Sequence, residues 1–251
     1  MTTKNYYNKI KISNPYKGRR FAVGDIHACY YTFKELIENQ LSLKKNDQLF
    51  ILGDIIDKGP HSKKTLDYIL KLIKKGYLIY PLRGNHEETL IYTSENESKK
   101  ILKWLVRKSP NLLNQGKLHT KYKDFIKSLP FYYELDNFFL VHANFNYNIE
   151  KPFKDKSSML WKRKFDYNAK TLKNKTLVHG HQPTEIGDIK CMIRKKKKVI
   201  CLDNGVNYIR NHKLYNYLQM GSLCALNLDT FELTIQKNIE FEKKNANTIL
   251  I

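Results

Sequence analysis

The sequence predicts a layered α/β domain that begins with a parallel βαβαβ unit. Apolar runs alternate with helical patterns through the first part of the chain, and the ends of the first three runs are almost evenly spaced. From Phe131 onward, short strand-like runs follow one another. Alternating strands and helices, followed by strand-rich sequence, are typical of layered α/β architecture.

The first three strands are predicted at residues 20–24, 48–53 and 77–82, where short apolar runs end at or near a glycine. The two segments between them have apolar residues at helical spacing, which indicates one buried face on each helix. These residues are Phe33, Leu36, Ile37 and Leu41, and then Leu66, Ile69, Leu70 and Ile73. Further helical segments are expected between about residues 87 and 128.

Later strands are predicted at 138–142, 176–179, 198–202, 222–228 and 231–236. The basic block 194–198 lies between two apolar runs, and we expect it to form a hairpin turn. There is no internal repeat or low-complexity linker in the sequence. We therefore expect a polar, basic N-terminal arm at residues 1–19 and a single domain at residues 20–251.

The chain has 251 residues with 45 basic and 24 acidic side chains, a formal net charge of +21. Such a surplus is compatible with nucleic-acid binding. However, 38 of the basic residues are Lys and 7 are Arg, whereas nucleic-acid readers use Arg for bidentate contacts. The lysine surplus is therefore better explained by a general drift in composition than by a surface that recognises nucleic acid. Nucleic acid is a possible partner of the protein but not the expected one.

Composition also excludes some classes of protein. The 41% hydrophobic content excludes global disorder. The sequence contains no run of 18 apolar residues, so a membrane-spanning helix is not expected. The N-terminal residues lack the apolar stretch of a secretory signal. The four cysteines show no CxxC spacing, which favours reduced thiols over a disulfide scaffold. A cytoplasmic location without membrane contact is expected.

Polar clusters follow five of the predicted strands. The spacing from Asp25 to Asp54 is 29 residues and from Asp54 to Asn85 is 31, the length of a βαβ unit. The carboxyl ends of such strands meet at one edge of the sheet, where α/β proteins bind ligands. The clusters contain Asp25 and His27; Asp54 and Asp57; Asn85 and His86; His142; and His179 and His181.

Each cluster alone has an ordinary explanation. An Asp after a Gly often caps a helix, and an isolated His is more often a hydrogen-bonded core residue. Five clusters in order at strand ends are hard to explain in that way. Carboxylates, an amide oxygen and imidazoles at one edge predict a divalent metal site.

The blocks GDIHACY, GDIIDKGP, LRGNHEE, VHAN and VHGHQPT resemble, in this order, the signature blocks of the calcineurin-like metallophosphoesterases. The resemblance covers roughly residues 20–236. It is closest to the phosphoprotein phosphatase branch, which includes bacterial Ser/Thr phosphatases and symmetrical dinucleoside tetraphosphatases, because Pro183 stands where other branches have an extra metal-binding His. The resemblance implies a layered β-sandwich flanked by helices, with the metal site at the C-terminal strand ends.

The resemblance also implies which residues bind metal. Asp25 and His27 would hold a first ion, Asp54 would bridge both, and a second ion would be held by Asn85, His142 and His181. Two divalent ions are implied, Mn²⁺ in the first place, with Fe, Zn, Ni or Mg as alternatives. A metal-bridging hydroxide would then attack the phosphorus directly.

Other motif residues would act on the substrate. His86 would protonate the leaving group and Asp57 would orient its imidazole. The implied phosphate-binding residues are Arg83, Arg163, Lys58 and Asn85. His179 matches no ligand position, so a structural role is expected, and Cys29 is expected to be a buried thiol.

The sequence departs from the family pattern at four positions. Lys58 replaces an Arg, Ala28 and Asn144 replace glycines, and Gln182 replaces a Thr. Loss of the glycines would strain two metal loops if these positions need a positive φ, although Asn tolerates that conformation better than Ala. Since all implied ligands persist, we expect an active enzyme.

Three functions remain open on the sequence alone. The first is hydrolysis of phosphate monoesters, with phosphorylated Ser or Thr of a protein as substrate. The alternative keeps the same site and takes a dinucleoside tetraphosphate, which is cleaved symmetrically. A third is nucleic-acid binding on a degenerate phosphatase scaffold. The oligomeric state is left undetermined.

Overall fold

The structure is a computed structural model that describes residues 10–11, 17–95, 110–115, 117–208 and 219–240. Within these ranges the strands are β1 (Ile10–Lys11), β2 (Arg20–Val23), β3 (Gln48–Ile51), β4 (Leu78–Pro81), β5 (Leu113–Asn114), β6 (Lys117–Leu118), β7 (Tyr132–Glu134), β8 (Phe138–Val141), β9 (Thr176–His179), β10 (Val199–Cys201), β11 (Asp203–Asn204), β12 (Ser222–Asn227) and β13 (Leu233–Lys237). The helices are α1 (Tyr30–Glu35), which continues as a π-helical segment (Leu36–Gln40), α2 (Ser62–Lys74), α3 (Asn85–Glu95), α4 (Thr120–Ser128), α5 (Lys156–Trp161) and α6 (Ile186–Arg194). Short 3₁₀ turns occur at Pro110–Leu112 and Pro152–Lys154.

The first sheet contains the predicted parallel βαβαβ unit. Strands β2, β3 and β4 are parallel neighbours, with α1 between the first two and α2 between the last two. The sheet continues on the other side of β2 in the order β11-β12-β2-β3-β4, and β13 also pairs with β12. The prediction of this unit is confirmed.

The second sheet has the order β1-β7-β8-β9-β10. Its strands β8, β9 and β10 are parallel, and β7 is antiparallel to β8. Because parallel neighbours need a crossover, α6 joins β9 to β10. The prediction of a hairpin turn at 194–198 is therefore wrong: the block forms the C-terminal end of α6 and the turn into β10, where cations offset the exposed helix carbonyls.

Both faces of the first sheet are covered, which explains why its strands are continuous apolar runs. Ala22 and Phe50 point towards the second sheet and pack with residues such as Val178. On the opposite face, Val23 and Ile51 pack against the helices. The outer face of the second sheet packs on α5. Two sheets between helical layers form the predicted layered β-sandwich flanked by helices.

Part of the predicted N-terminal arm lies in the second sheet. Ile10 and Lys11 form the edge strand β1, which runs parallel to β7 in register with Tyr133 and Glu134. The arm's residues 1–9 and 12–16, and the predicted helical stretch at 96–109, lie outside the described residues. The division into an arm and one domain stays a prediction. In the described ranges, no helix has the length and apolar content needed to cross a bilayer.

Candidate metal centre

The carboxyl ends of six parallel strands, three from each sheet, carry polar residues. Asp25 and His27 follow β2, Asp54 follows β3, Asn85 follows β4, His142 follows β8, His181 follows β9 and Asp203 follows β10. All of these side chains are buried. The fold thus brings together the six sequence-predicted metal ligands from positions that span 157 residues of the chain, 25–181.

One group of ligand atoms surrounds Asn85. Its Oδ1 lies 2.8 Å from Nε2 of His142 and 3.1 Å from Nδ1 of His181. Nε2 of His142 also lies 3.4 Å from Oδ1 of Asp54. Two ligand atoms that each lie about 2.1 Å from the same ion, at right angles to one another as in octahedral coordination, are about 3 Å apart. The four side chains therefore fit one divalent ion.

A second group surrounds His27. Its Nε2 lies 3.8 Å from Oδ2 of Asp25 and 3.7 Å from Oδ2 of Asp54. Asp54 therefore directs Oδ1 to one group and Oδ2 to the other. A carboxylate in this position can bridge two cations, as the sequence motif implies.

The ligand loops adopt an unusual backbone conformation. His27, Asp54 and His181 have φ values of 44°, 46° and 67°, in the left-handed region that non-glycine residues rarely adopt. Such conformations persist where the surroundings enforce them, and they cluster at functional sites. Here main-chain bonds enforce them: the N–H groups of Ile26 and His27 both donate to the Asp54 carbonyl, at 3.1 and 2.8 Å.

Two glycines permit the close approach of these loops. A Cβ on Gly84 would collide with the side chain and main chain of Asp54, and one on Gly180 would collide with the carboxylate of Asp25. The glycine in each motif is therefore required by contact with a ligand carboxylate.

Burial keeps the ligand imidazoles neutral. It lowers the pKa of His27 and of His181 to about 3, and it lowers the pKa of His142 below its usual range. A neutral imidazole nitrogen is the form that binds a metal ion. The donor set therefore suits a cation at neutral pH.

Two carboxylates of the centre, Asp25 and Asp203, show the complementary effect. Burial, together with the negative charges of Asp203 and Asp54, raises the pKa of Asp25 well above its usual range. Burial also raises the pKa of Asp203 to about 6. Several buried carboxylates at one place repel one another unless positive charge is supplied. Divalent cations held by these residues would supply it.

His86 and Asp57 form a pair beside the ligands. Nδ1 of His86 lies 2.8 Å from Oδ2 of Asp57, and its Nε2 faces the centre, 3.8 Å from Oδ2 of Asp54. Burial alone would lower the pKa of His86, but the hydrogen bond with Asp57 and the charge of Asp54 raise it above its usual range. The imidazole is half-buried and holds its proton more strongly than a free histidine.

The predicted phosphate-binding cations lie in different environments. Nζ of Lys58 lies 2.8 Å from Nε2 of His27, inside the first ligand group. Arg163 is exposed, and no hydrogen bond within the described residues occupies it. Its charge lowers the pKa of His181, after the larger effects of burial and His142, so it lies near the centre.

Arg83, by contrast, is turned towards the helices. It is 8% exposed, its Nη1 donates to Glu88 at 2.8 Å and its Nη2 donates to the carbonyl of Lys127 at 2.7 Å. The guanidinium also lies over the Phe131 ring. In this arrangement Arg83 joins α3 to the end of α4, and its binding of phosphate stays a prediction.

Two buried residues of the centre, Glu87 and Asp203, lie outside the set that the sequence predicts. Glu87 is fully buried and accepts hydrogen bonds from the N–H groups of Ile55, Ile56 and Gly84, so it joins two ligand loops. Asp203 accepts from the N–H of Gly205 at 2.7 Å. Asp203 follows an apolar run, the same signal as in the other clusters, and could have been found in that way.

The two departures from glycine have different consequences. Ala28 has a φ of 57°, so the strain expected there is present. Asn144 is not among the described residues with positive φ, and its side chain has taken on contacts of its own. Its Nδ2 donates to the carbonyls of Lys164 and Asp166, at 2.8 and 3.1 Å.

Two further expectations concern residues near the ligands. Cys29 is buried, and burial raises the pKa of its thiol well above the usual range, so it is a poor nucleophile as expected. His179 is buried, with Nδ1 2.9 Å from the carbonyl of Gly180 and its ring 4.9 Å from that of Phe165. These contacts agree with a structural role.

Comparison with protein families matches residues 19–213 to the family described as calcineurin-like phosphoesterase. Among curated proteins, the chain is 38% identical over 82 residues to the symmetrical bis(5'-nucleosyl)-tetraphosphatase of Buchnera aphidicola subsp. Schizaphis graminum (strain Sg), which is 32% of this chain and 29% of the relative. It is 41% identical over 71 residues to the protein of the same name in Wigglesworthia glossinidia brevipalpis, 28% of this chain and 25% of the relative. The aligned segment thus spans less than a third of either relative.

Two solved structures share the fold over most of their length. A crystal structure assigned as a diadenosine tetraphosphatase superposes with a TM-score of 0.59 at 20% identity. The superposition covers 90% of this chain and 96% of the tetraphosphatase chain. A Saccharomyces cerevisiae serine/threonine phosphatase with similarity to human phosphatase PP5 also has a TM-score of 0.59, at 14% identity. Its superposition covers 90% of this chain and 81% of the phosphatase chain. At these identities the likeness is one of fold alone.

Proposed function

The chain belongs to the calcineurin-like phosphoesterase family, a family of metal-dependent phosphoester hydrolases, and on that premise we propose that it cleaves dinucleoside tetraphosphates symmetrically into two nucleoside diphosphates. The hydrolytic chemistry is supported by the converging ligands of the strand-end centre. The observation that carries the choice of substrate is the identity of 38–41% with segments of two symmetrical tetraphosphatases.

This proposal reverses the order of substrates expected from the sequence. On the sequence alone, a phosphorylated protein is the first expected substrate and a dinucleoside tetraphosphate is the alternative. The similar Ser/Thr phosphatase is related at 14% identity, which supports the shared fold and no substrate. The sequence relatives support the alternative better.

Two divalent ions would be held by the two ligand groups. Asp25, His27 and Asp54 would bind one ion, with Mn²⁺ as the first candidate. Asp54 would also bind the other, with Asn85, His142 and His181. Bound divalent ions supply Lewis-acid stabilisation of the charge on a phosphoryl group and provide a nucleophile at neutral pH.

His86 is the proposed general acid. Its Nε2 faces the centre, and Asp57 holds Nδ1 at 2.8 Å, which fixes the ring orientation and favours the protonated form. In the cleavage of a polyphosphate, the leaving phosphate oxygen would accept the proton from Nε2. Asp57 is a positioning residue in this scheme, since it acts through His86.

Arg163 and Lys58 are the proposed phosphate-binding cations. Arg163 is exposed beside the centre and offers a planar fork that fits two phosphate oxygens. Lys58 carries a compact charge at the first ligand group and can contact one oxygen at a time. A polyanionic substrate with four phosphates would engage both.

The proposal is tested by product analysis. The purified full chain with added Mn²⁺ is incubated with diadenosine tetraphosphate, and the products are separated by anion-exchange chromatography. We expect ADP alone. Formation of ATP with AMP, or rapid release of phosphate from a phosphoserine peptide while the dinucleotide stays intact, would overturn the proposed substrate.

Two controls separate the activity from a contaminant. Asp54→Asn removes the charge that both ligand groups share, so hydrolysis should fall to background. Chelation should abolish hydrolysis in the parent, and stepwise addition of Mn²⁺, Mg²⁺, Zn²⁺, Ni²⁺ or Fe²⁺ should restore it to different extents. Full activity in excess chelator would contradict a metal-dependent mechanism.

A further inference from the structure

Two exposed aromatic rings lie beside the metal centre. Trp161, 48% exposed, ends α5, and Phe165, 47% exposed, follows four residues later. Arg163 lies between them. Few large hydrophobic side chains are exposed in the described part of the chain, and two of them fall within two residues of a proposed phosphate-binding arginine.

The segment that carries these rings, residues 161–165, lies against the ligand edge. The Phe165 ring is 4.9 Å from that of His179, at the end of β9. The main-chain carbonyl of Trp161 lies near the imidazole of His181, where it favours the protonated form of that ring. The main chain at Trp161 and the ring of Phe165 therefore lie beside the ligand edge.

Trp161 lines an open surface cleft of about 350 Å³. The other lining residues include Asn146, Asn148, Ser157, Lys164 and Asp166, which carry amide, hydroxyl and charged side chains. An aromatic face with amide and hydroxyl groups around it is the arrangement by which proteins bind single nucleobases, since the base stacks on the ring and its edge forms hydrogen bonds.

The segment is held in place before any ligand binds. Asn144 donates to the carbonyls of Lys164 and Asp166, and Lys162 donates to the carbonyl of Phe145 at 2.7 Å. Lys162 also pairs with Asp166 at 2.8 Å. A preorganised aromatic surface loses less entropy when a ligand binds than a mobile one does.

We propose that Trp161 stacks a nucleobase of a nucleoside polyphosphate in this cleft, while Arg163 binds an adjacent phosphate. This inference rests on the proposed function and assigns the residue that would distinguish a nucleotide from a phosphorylated peptide. The indole accepts any base on its π face, so recognition would be of nucleosides in general.

Binding of ADP and of inorganic pyrophosphate tests the proposal, since the two have the same phosphates and differ in the nucleoside. In the Mn²⁺-loaded protein, Trp161→Ala should weaken ADP binding by about 5- to 150-fold, the range found for loss of one base–aromatic stack. Pyrophosphate binding should change less than about twofold, and Trp161→Phe should retain most of the ADP affinity. Tyr92→Ala, which removes another exposed ring, serves as the matched control.

A spectroscopic readout is independent of affinity and of turnover. The chain has two tryptophans, so in a Trp104→Phe background the fluorescence of Trp161 can be followed alone. ADP should quench it and pyrophosphate should not. An equal loss of ADP and pyrophosphate affinity in Trp161→Ala, or no quenching by ADP, would overturn the proposal.

Failure of this inference is distinguishable from failure of the proposed function. If the parent hydrolyses diadenosine tetraphosphate but Trp161→Ala has an unchanged KM, only the base-binding role is wrong. If the parent hydrolyses no dinucleoside tetraphosphate, the function is wrong, and ADP quenching would still report whether Trp161 contacts a base.

Discussion

The hydroxyl of Tyr122 on α4 donates a hydrogen bond to Oδ1 of Asp67 on α2, at 2.9 Å. Lys121 and Lys63 contact the same carboxylate, at 2.6 and 2.8 Å. Burial alone would raise the pKa of Asp67, but the hydrogen bonds from Lys121, Lys63 and Tyr122 lower it to about 2. This carboxylate joins two of the helices that pack against the first sheet.

The contribution of Asp67 to stability should depend on pH. Since its folded pKa is below its unfolded value of about 3.9, the stabilisation is present above pH 4 and is lost as the pH falls towards 2. Because the group is one-third exposed, solvent screening limits the effect to about 1 kcal/mol. Urea unfolding of Asp67→Asn should show this loss at pH 7 and a smaller one at pH 3. Glu150→Gln, at an exposed carboxylate, should unfold like the parent, and a pH-independent difference for Asp67→Asn would contradict the assignment.

Replacement of His86 should separate proton transfer from metal binding. His86→Asn should lower kcat by about 10²–10⁴-fold, the usual contribution of a general acid, with the bound metal content unchanged. Asp57→Asn keeps an acceptor for Nδ1–H of His86 but removes the negative charge that favours the protonated ring, so a smaller loss of about 10–100-fold is expected. Steady-state kinetics and metal analysis of the same preparations measure both. His119→Asn, which preserves a side-chain acceptor at the N-cap of α4, should be fully active, and an unchanged kcat in His86→Asn would exclude the proposed role.

The strain at Ala28 can be measured against a second buried alanine. Ala28→Gly loses a buried methyl group, worth about 0.8 kcal/mol, but relieves a left-handed conformation that costs about 1–2 kcal/mol. The two effects should nearly cancel, so the free energy of unfolding should change by less than about 1 kcal/mol. Ala225→Gly in β12 loses the same methyl group without that relief and should be destabilised by about 1–2 kcal/mol. Equal destabilisation of the two variants in denaturant unfolding would show that position 28 carries no strain.

Asn144 should act on catalysis through Arg163. Asn144→Gly restores the glycine expected at this position and removes the hydrogen bonds that hold residues 164 and 166, so KM should rise about 10-fold, as for loss of an outer-shell contact. In an Arg163→Ala background the same replacement should add little, because the group that it positions is absent. Kinetics of the two single variants and the double variant test this coupling, and additive effects would contradict it.

Much of the centre could be predicted because its geometry follows from one rule. Parallel strands end at a common edge, so polar residues after apolar runs converge whatever their separation in sequence. This rule located Asp25, Asp54, Asn85, His142 and His181. It also applies to Asp203, which lies beyond the last of the motif blocks.

The partners of long side chains were less predictable. The place of Arg83 in a motif predicts phosphate binding, and that role stays a prediction. The partners that its guanidinium has in the structure, Glu88 and the Lys127 carbonyl, depend on where α4 ends. The turn at 194–198 depends on strand order: whether β9 and β10 are parallel is decided by tertiary packing. The partners of Arg83 and the type of turn at 194–198 therefore cannot be predicted from the local sequence.

Gly84 and Gly180 also limit how this chain can diverge. Surface lysines can be exchanged in small steps, since each step changes the charge or the length of a solvated side chain. No side chain is intermediate between a hydrogen atom and a methyl group, and the first carbon added at either glycine would meet the carboxylate of Asp54 or Asp25. Changes at these two positions are therefore abrupt, so libraries of random variants should show sharp loss of function there.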